Sequence, residues 1–423
     1  MTFLRTNILL PKFSSDSEKM KKWSVVACDQ YTSEPEYWQE ISDYIGDDYS
    51  TLNLTIPEIY LNDDDIDERI KNTNIHMKEY IEKGVFDEYK NSYIFVERTL
   101  KNGVKRLGIV GAVDLEDYDY SKDSQTKIRA TEGTVVSRIP PRLKVRCDAP
   151  IELPHIMMLI DDEDCDIIES NSKITDTFTK VYDFDLLKSS GHITGYKMSD
   201  EAANILDEKL SKLDCLDSFN KKYNVEKNSP LIFAMGDGNH SLATAKAYYE
   251  NLKQEIGEES AKNSLARYAL CELVNLHDVS LEFEAIHRVI FNVSGEEFLN
   301  EFSKEYDLCF DDTKDGQKFK VVIGNETKNI TVTNPKEYLT VATVQNFLDK
   351  FIKDKNAEID YIHGEDVVYK LCKDKSNFGI IFEAMEKKDL YKSVILDGAL
   401  PRKTFSMGEA SDKRFYIEAR KIK

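Results

Sequence analysis

The stretch that most limits how this chain can fold runs from Pro230 to Leu252. Pro230-Leu231-Ile232-Phe233-Ala234-Met235 is a short apolar run opened by a proline, the pattern of a buried strand. Leu242 to Leu252 carries Ala243, Ala245 and Ala247, so a helix there can lie close against a sheet. Between the two stand Gly236, Asp237, Gly238, Asn239, His240 and Ser241, and the glycines let the backbone turn sharply. Strand, tight turn and helix in that order put Asp237, Asn239 and His240 on the rim of an α/β sheet, where ligands bind. The free N–H groups and partial positive charge of the helix start suit a phosphate or carboxylate. Asp-Gly and Gly-Asn are also ordinary turn pairs, so spacing alone leaves open a plain turn.

The rest of the chain supports a mixed architecture. Tyr93–Arg98 and Lys105–Val113 flank Lys101-Asn102-Gly103, an Asn-Gly hairpin signal. Gly108 and Gly111 lack the three-glycine dinucleotide fingerprint and are expected to serve close strand packing. Apolar spacing predicts helices over 65–84, 199–220, 242–256 and 343–354, with a charged helix over 296–306. Short strands are predicted at 24–27, 156–160, 318–323 and 329–332. Interleaved strands and helices favour α/β to α+β, a mixed sheet with flanking helices. A restart near Val293-Ser294-Gly295 divides the chain into an α/β core over 1–293, holding the candidate site, and a smaller C-terminal α+β region over 294–423.

Composition narrows the function classes. A chain of 423 residues that is 41% hydrophobic can bury a large core. Its net charge of −20 argues against nucleic acid or an anionic membrane as a partner of the whole surface. No apolar run reaches the roughly 20 residues of a membrane span, and Met1 to Asn7 reads as no signal peptide. Seven scattered cysteines without a Cys-x-x-Cys pair fit reduced thiols and a cytoplasmic protein, and offer no zinc framework. Oligomeric state leaves no mark in the sequence.

Two basic islands interrupt this acidity. Lys127 to Arg146 holds six cations and one carboxylate, Glu132. Arg138 and Arg142 can grip phosphate oxygens, and Glu132 can serve as a general base or hold a metal. Solvated strand charges explain the same pattern. Pro140 and Pro141 suggest a fixed loop between extended segments. The second island brackets Arg402, Lys403, Thr404 and Ser406 between Pro401 and Gly408, and Lys413–Arg420 then alternates like an edge strand. His287-Arg288 and Tyr361–Asp366 have structural readings, a satisfied histidine and an acidic helix start. Asp237 and His240 can share a metal ion, with no third ligand visible. Neither a Gly-x-Ser-x-Gly elbow nor a Walker-type loop is present.

From Val25-Val26-Ala27-Cys28-Asp29-Gln30-Tyr31 to Leu400-Pro401-Arg402-Lys403-Thr404-Phe405 the chain resembles the domain-of-unknown-function family 1015. Asp237-Gly238-Asn239-His240 looks like that family's Asp-Gly-His-His-Arg signature. Thr131-Glu132-Gly133-Thr134 and Ile286-His287-Arg288 look like its His-Glu-x-Thr and Thr-His-Arg segments. The signature is similar to one in the free-serine kinases, which share a ParB/sulfiredoxin-like nucleotide-binding fold. The resemblance therefore implies a ParB/sulfiredoxin-like core element and ATP or ADP with magnesium as cofactor. It implies a phosphotransferase acting on a small hydroxylated metabolite such as a free amino acid. In that reading Glu132 is the base and His240 meets phosphate. Asp237 holds metal, Gly236, Gly238, Asn239 and Ser241 line the nucleotide site, and Arg138, Arg142 and Lys403 neutralise charge. Asn239 replaces a histidine and cannot titrate near neutral pH; Ser241 replaces an arginine and removes a cation. Those two departures leave a second reading, a non-catalytic nucleotide- or metabolite-binding regulator.

Overall fold

The computed structural model describes residues 1–153, 155–310 and 314–423. It has two compact units. The first takes residues 1–130, 134–281 and 408–423, and the second takes 131–133 and 282–407. The division expected after Val293 falls inside the second unit. The strand before it, His287–Phe291, pairs with Glu358–Ile362 and Phe378–Phe382 and so belongs with the later chain.

The first unit is built on a ten-stranded mixed sheet. Its strands are β1 (Phe3–Leu4), β2 (Ile94–Thr99), β3 (Lys105–Asp114), β4 (Tyr118–Asp119), β5 (Ile128–Arg129), β6 (Met157–Ile160), β7 (Thr179–Asp185), β8 (His192–Lys197), β9 (Phe233–Asp237) and β10 (Tyr268–Asn275). The order is β7-β8-β2-β3-β10-β6-β9-β5-β4, with β1 on β3. The Asn-Gly signal closes the β2–β3 hairpin in the register Arg98↔Arg106, with Gly103 at φ +83°. A Cβ on Gly108 would collide with the Glu272 side chain, and one on Gly111 with Phe3 and Tyr93, so both glycines serve close packing.

Alternation along the strands feeds two cores, one on each face. Phe95, Ile109, Val113, Cys271 and Leu273 pack with helix residues Leu206, Leu210, Leu242 and Tyr249. Ile94, Val96, Val110 and Leu270 pack with Trp23, Trp38, Met77 and Tyr80 on the other side. The helices that matter below are α1 (Ile66–Glu82), α2 (Ile139–Asp148) and α3 (Asn239–Ile256). The predicted loop at Pro140-Pro141 is instead the first turn of α2. Prolines fit there because the first N–H groups of a helix have no partner to lose. The single helix predicted over 199–220 is two, Asp200–Lys212 and Leu216–Tyr223. Among the described residues no helix is long and apolar enough to cross a membrane.

The second unit has a six-stranded antiparallel sheet. It comprises β11 (His287–Phe291), β12 (Leu308–Cys309), β13 (Gln317–Ile323), β14 (Glu326–Val332), β15 (Glu358–Ile362) and β16 (Phe378–Phe382), in the order β12-β14-β13-β16-β11-β15. One face carries a phenylalanine-rich core, in which Phe298 and Phe302 of one helix meet Phe347 and Phe351 of another over Phe319 and Phe378. Val368 and Cys372 cover Val289, Val322 and Ile381 on the opposite face.

Candidate functional site

Strand β9 extends through Asp237, and the turn is the single residue Gly238 before α3 begins at Asn239. Gly238 sits at φ +78°, and a Cβ there would lie 3.0 Å from the Ile156 Cα. Both facts require glycine. Leu242, Ala245 and Tyr249 bury one stripe of α3 against the sheet, which fixes where its N-terminus points.

At this corner the Asp237 carboxylate accepts the Gly238 N–H at 2.8 Å and lies 3.2 Å from the Lys413 ammonium. Two side-chain atoms of the first helical turn, Asn239 Oδ1 and His240 Nε2, are buried without a hydrogen-bond partner among the described residues. Such atoms are rare and ask for an explanation. Burial, then the charges of Arg142 and Arg138, pushes the His240 imidazole down to about 4, so it is neutral at pH 7. A neutral imidazole can donate or accept at Nε2 according to its tautomer.

Behind His240 lies a chain of groups that spacing did not reveal. His155 Nε2 is 3.4 Å from Asp29 Oδ2, and His155 Nδ1 is 2.9 Å from the Tyr416 hydroxyl. Tyr416 in turn donates to Cys28 Sγ at 2.9 Å and accepts the Cys28 N–H at 3.1 Å. Burial alone would lower His155; the Asp29 carboxylate outweighs it and raises the imidazole, which favours the charged form. Reciprocally, Asp29 is held below the usual carboxylate range despite its burial. Burial pushes the Cys28 thiol up to about 11, so it is no thiolate nucleophile. Arg142, from α2, donates to Glu58 and to the Arg138 carbonyl.

Arg129 on β5, opposite Ala234 of β9, is a further signal. It is 2% exposed, its Nε donates to the Thr126 carbonyl, and its two terminal nitrogens have no partner among the described residues. Burial pulls it down to about 10.

The site residues expected from sequence divide between the units. Gly236, Asp237, Gly238, Asn239, His240, Ser241, Arg138 and Arg142 belong to the first, and Glu132 and Lys403 to the second. Glu132 forms a parallel bridge with Leu400, where the Leu400 N–H donates to the Thr131 carbonyl at 2.8 Å. Its charge acts on Arg288, which is fully buried and bonded to Gln345. Lys403 is exposed, with a left-handed backbone at φ +58°. His287 accepts the Phe382 N–H at 3.3 Å, a structural role.

Asp237 and His240 gain no third metal ligand among the described residues. Among the described residues the three-ligand grouping is elsewhere in the first unit, at Asp161, Glu163 and His277. There the Lys222 ammonium already sits 2.9 Å from Asp161 and 3.7 Å from Glu163, so the carboxylates are spent on a fixed cation.

The chain belongs to the DUF1015 family of proteins of unknown function, whose model matches residues 9–351. Several solved structures are similar to it. A conserved hypothetical protein from Pyrococcus furiosus is 12% identical over 74% of this chain and 94% of its own, with a TM-score of 0.36. Free serine kinase in complex with AMP is 12% identical over 74% and 90%, with a TM-score of 0.38. C-terminally truncated SbnI from Staphylococcus aureus is 8% identical over 73% and 82%, with a TM-score of 0.35. No curated protein sequence matches.

Proposed function

We propose that the β9–α3 corner binds the phosphates of a nucleotide, ATP or ADP, and that the protein is a phosphotransferase acting on a small hydroxylated metabolite such as a free amino acid. The observation that carries this reading is the buried His240 Nε2 in the first turn of α3, without a partner among the described residues and able to donate in one tautomer. Asn239 Oδ1, likewise unpartnered, only accepts and suits a ligand hydroxyl or N–H rather than a phosphate oxygen. Arg138 and Arg142 act electrostatically on the same imidazole. A helix start, a neutral imidazole and arginine charge are what a phosphate needs. Phosphoryl transfer asks of the protein mainly positioning and charge neutralisation.

Magnesium fits less well. The Asp237 carboxylate already accepts from its own turn and faces the Lys413 ammonium, which reduces the negative charge it offers a phosphate-borne magnesium. No step is therefore assigned to a metal. That engagement favours the second reading, a nucleotide- or metabolite-binding regulator without turnover. Glu132 keeps its assignment as the base for the acceptor hydroxyl, and Lys403 its assignment as a charge stabiliser. Asp29, paired with His155 within the first unit, is a second candidate base by position, and that pairing weakens it as a base.

The test incubates the protein with ATP or ADP, magnesium and a pool of hydroxy amino acids, and follows phosphorylated product by mass spectrometry. Turnover lost in Glu132→Gln, with nucleotide affinity kept within a few-fold, supports Glu132 as base. Loss in Asp29→Asn alone transfers the role. Nucleotide binding without any product supports the regulator, and no stabilisation by any nucleotide defeats the phosphotransferase and the nucleotide-binding form of the regulator.

A further inference from the structure

A cavity of about 160 Å³ opens beside the corner, wholly within the first unit. Its body is apolar: Leu54, Ile56, Met77, Val145, Ile151 and Leu153 line it. It reaches the corner through Ser241 of α3, and it shares Arg142 and His155 with the surroundings of His240.

The hydrogen-bond accounting of the lining decides what can enter. Thr244 Oγ1 donates to the His240 carbonyl at 2.7 Å, and Thr55 Oγ1 to the Thr51 carbonyl at 2.9 Å. Glu58 is bonded to Arg142, Glu152 is clasped by Arg146 and Arg420, and Tyr416 is shared by His155 and Cys28. Among the described lining residues, Arg146 Nε is the buried side-chain nitrogen left without a hydrogen-bond partner, and it is a lone donor. A nucleobase brings several ring-edge donors and acceptors that would enter unsatisfied, which costs free energy. An apolar group brings none. Size points the same way, because an apolar cavity of about 150 Å³ accepts benzene.

We propose that this cavity holds the apolar side group of the small molecule whose anionic or phosphorylated end lies at the β9–α3 corner, a branched-aliphatic or single-ring group rather than a nucleobase. The proposal rests on the phosphate reading of that corner and adds the class of metabolite. The acceptor is an amphiphile with one polar, hydroxyl-bearing end and one compact apolar end.

Calorimetric titration of the full chain with inorganic phosphate, phenyl phosphate and AMP tests it. Burying one ring should make phenyl phosphate bind about 10- to 100-fold more tightly than inorganic phosphate. Val145→Phe and Ala149→Leu, which fill the cavity, should erase that increment. Equal affinities for the two phosphates in the wild type overturn the proposal, even if both filled variants fail to fold. So does an increment that survives filling, or AMP binding that is selectively lost on filling. If neither phosphate binds while p-cresol raises the Tm of the wild type and not of Val145→Phe, the cavity assignment stands and the phosphate reading fails.

Discussion

His240 is a histidine whose environment removes its charge. Burial and two nearby arginines push its pKa down to about 4 and hold it neutral, while its Nε2 lacks a partner among the described residues. An anion placed beside Nε2 would reverse that balance, so binding should take up a proton. Sulfate keeps its charge across this range and isolates the effect. Its affinity should rise as pH falls from 7 to 5, by up to about tenfold per unit once the bound-state imidazole titrates. Asp29, held below the usual carboxylate range, stays ionised over that window; His155, raised by Asp29, also moves toward its charged form on acidification, and the His240→Gln comparison separates the two. His240→Gln should flatten the dependence, read by calorimetry at the two pH values. Stability has its own sign: a depressed imidazole contributes fully above about 6.5, and that contribution is lost as pH falls toward 4.

At the scale of elements, the corner depends on one glycine. Gly238→Ala must place a Cβ at φ +78° and 3.0 Å from a backbone atom, so it should cost about 1–3 kcal/mol in urea denaturation. Gly133→Ala meets nothing within 4 Å and should stay within about 0.5 kcal/mol of wild type. The corner was legible in the sequence because its causes are local. An apolar run, a glycine and an alanine-rich stretch lie within two dozen residues, and the Asn-Gly hairpin was legible for the same reason. Pro140-Pro141 misled because proline breaks a helix interior and yet suits a first turn, and the sequence does not say which position is occupied. Asp29, His155, Lys413 and Tyr416 could not be read at all. Cys28 and Tyr416 meet across 388 residues because Val25–Val26 pairs with Phe415–Tyr416, and no local pattern records that pairing. A buried His-Asp pair signals itself only in three dimensions.

At the scale of the molecule, the last sixteen residues are part of the first unit rather than an inert basic tail. Arg98 and Arg106, both buried, donate to the carbonyls of Ser411, Asp412 and Lys413, which carries Lys413 to Asp237. Arg414 is bonded at 2.8 Å to both Glu272 and Glu418, and Glu418 also accepts from Tyr182. The Trp23 indole donates to the Ile417 carbonyl at 3.0 Å. This segment lies beyond the residues matched by the family model, yet it supplies Lys413 and Tyr416 to the candidate site. Removing one partner of a buried ion pair strands the other charge, so Arg414→Ala should destabilise the first unit by about 3–5 kcal/mol. Both tryptophans, Trp23 and Trp38, are buried in that unit, which makes indole fluorescence its specific reporter. The fluorescence transition in urea should therefore move to lower denaturant in Arg414→Ala. In a chain ending at Met407 it should be lost, while circular dichroism keeps the signal of a second unit that retains its own phenylalanine core. A fluorescence transition that survived the truncation unchanged would mean that the first unit closes without its C-terminal strands, and that Lys413 and Tyr416 are dispensable to the corner they reach.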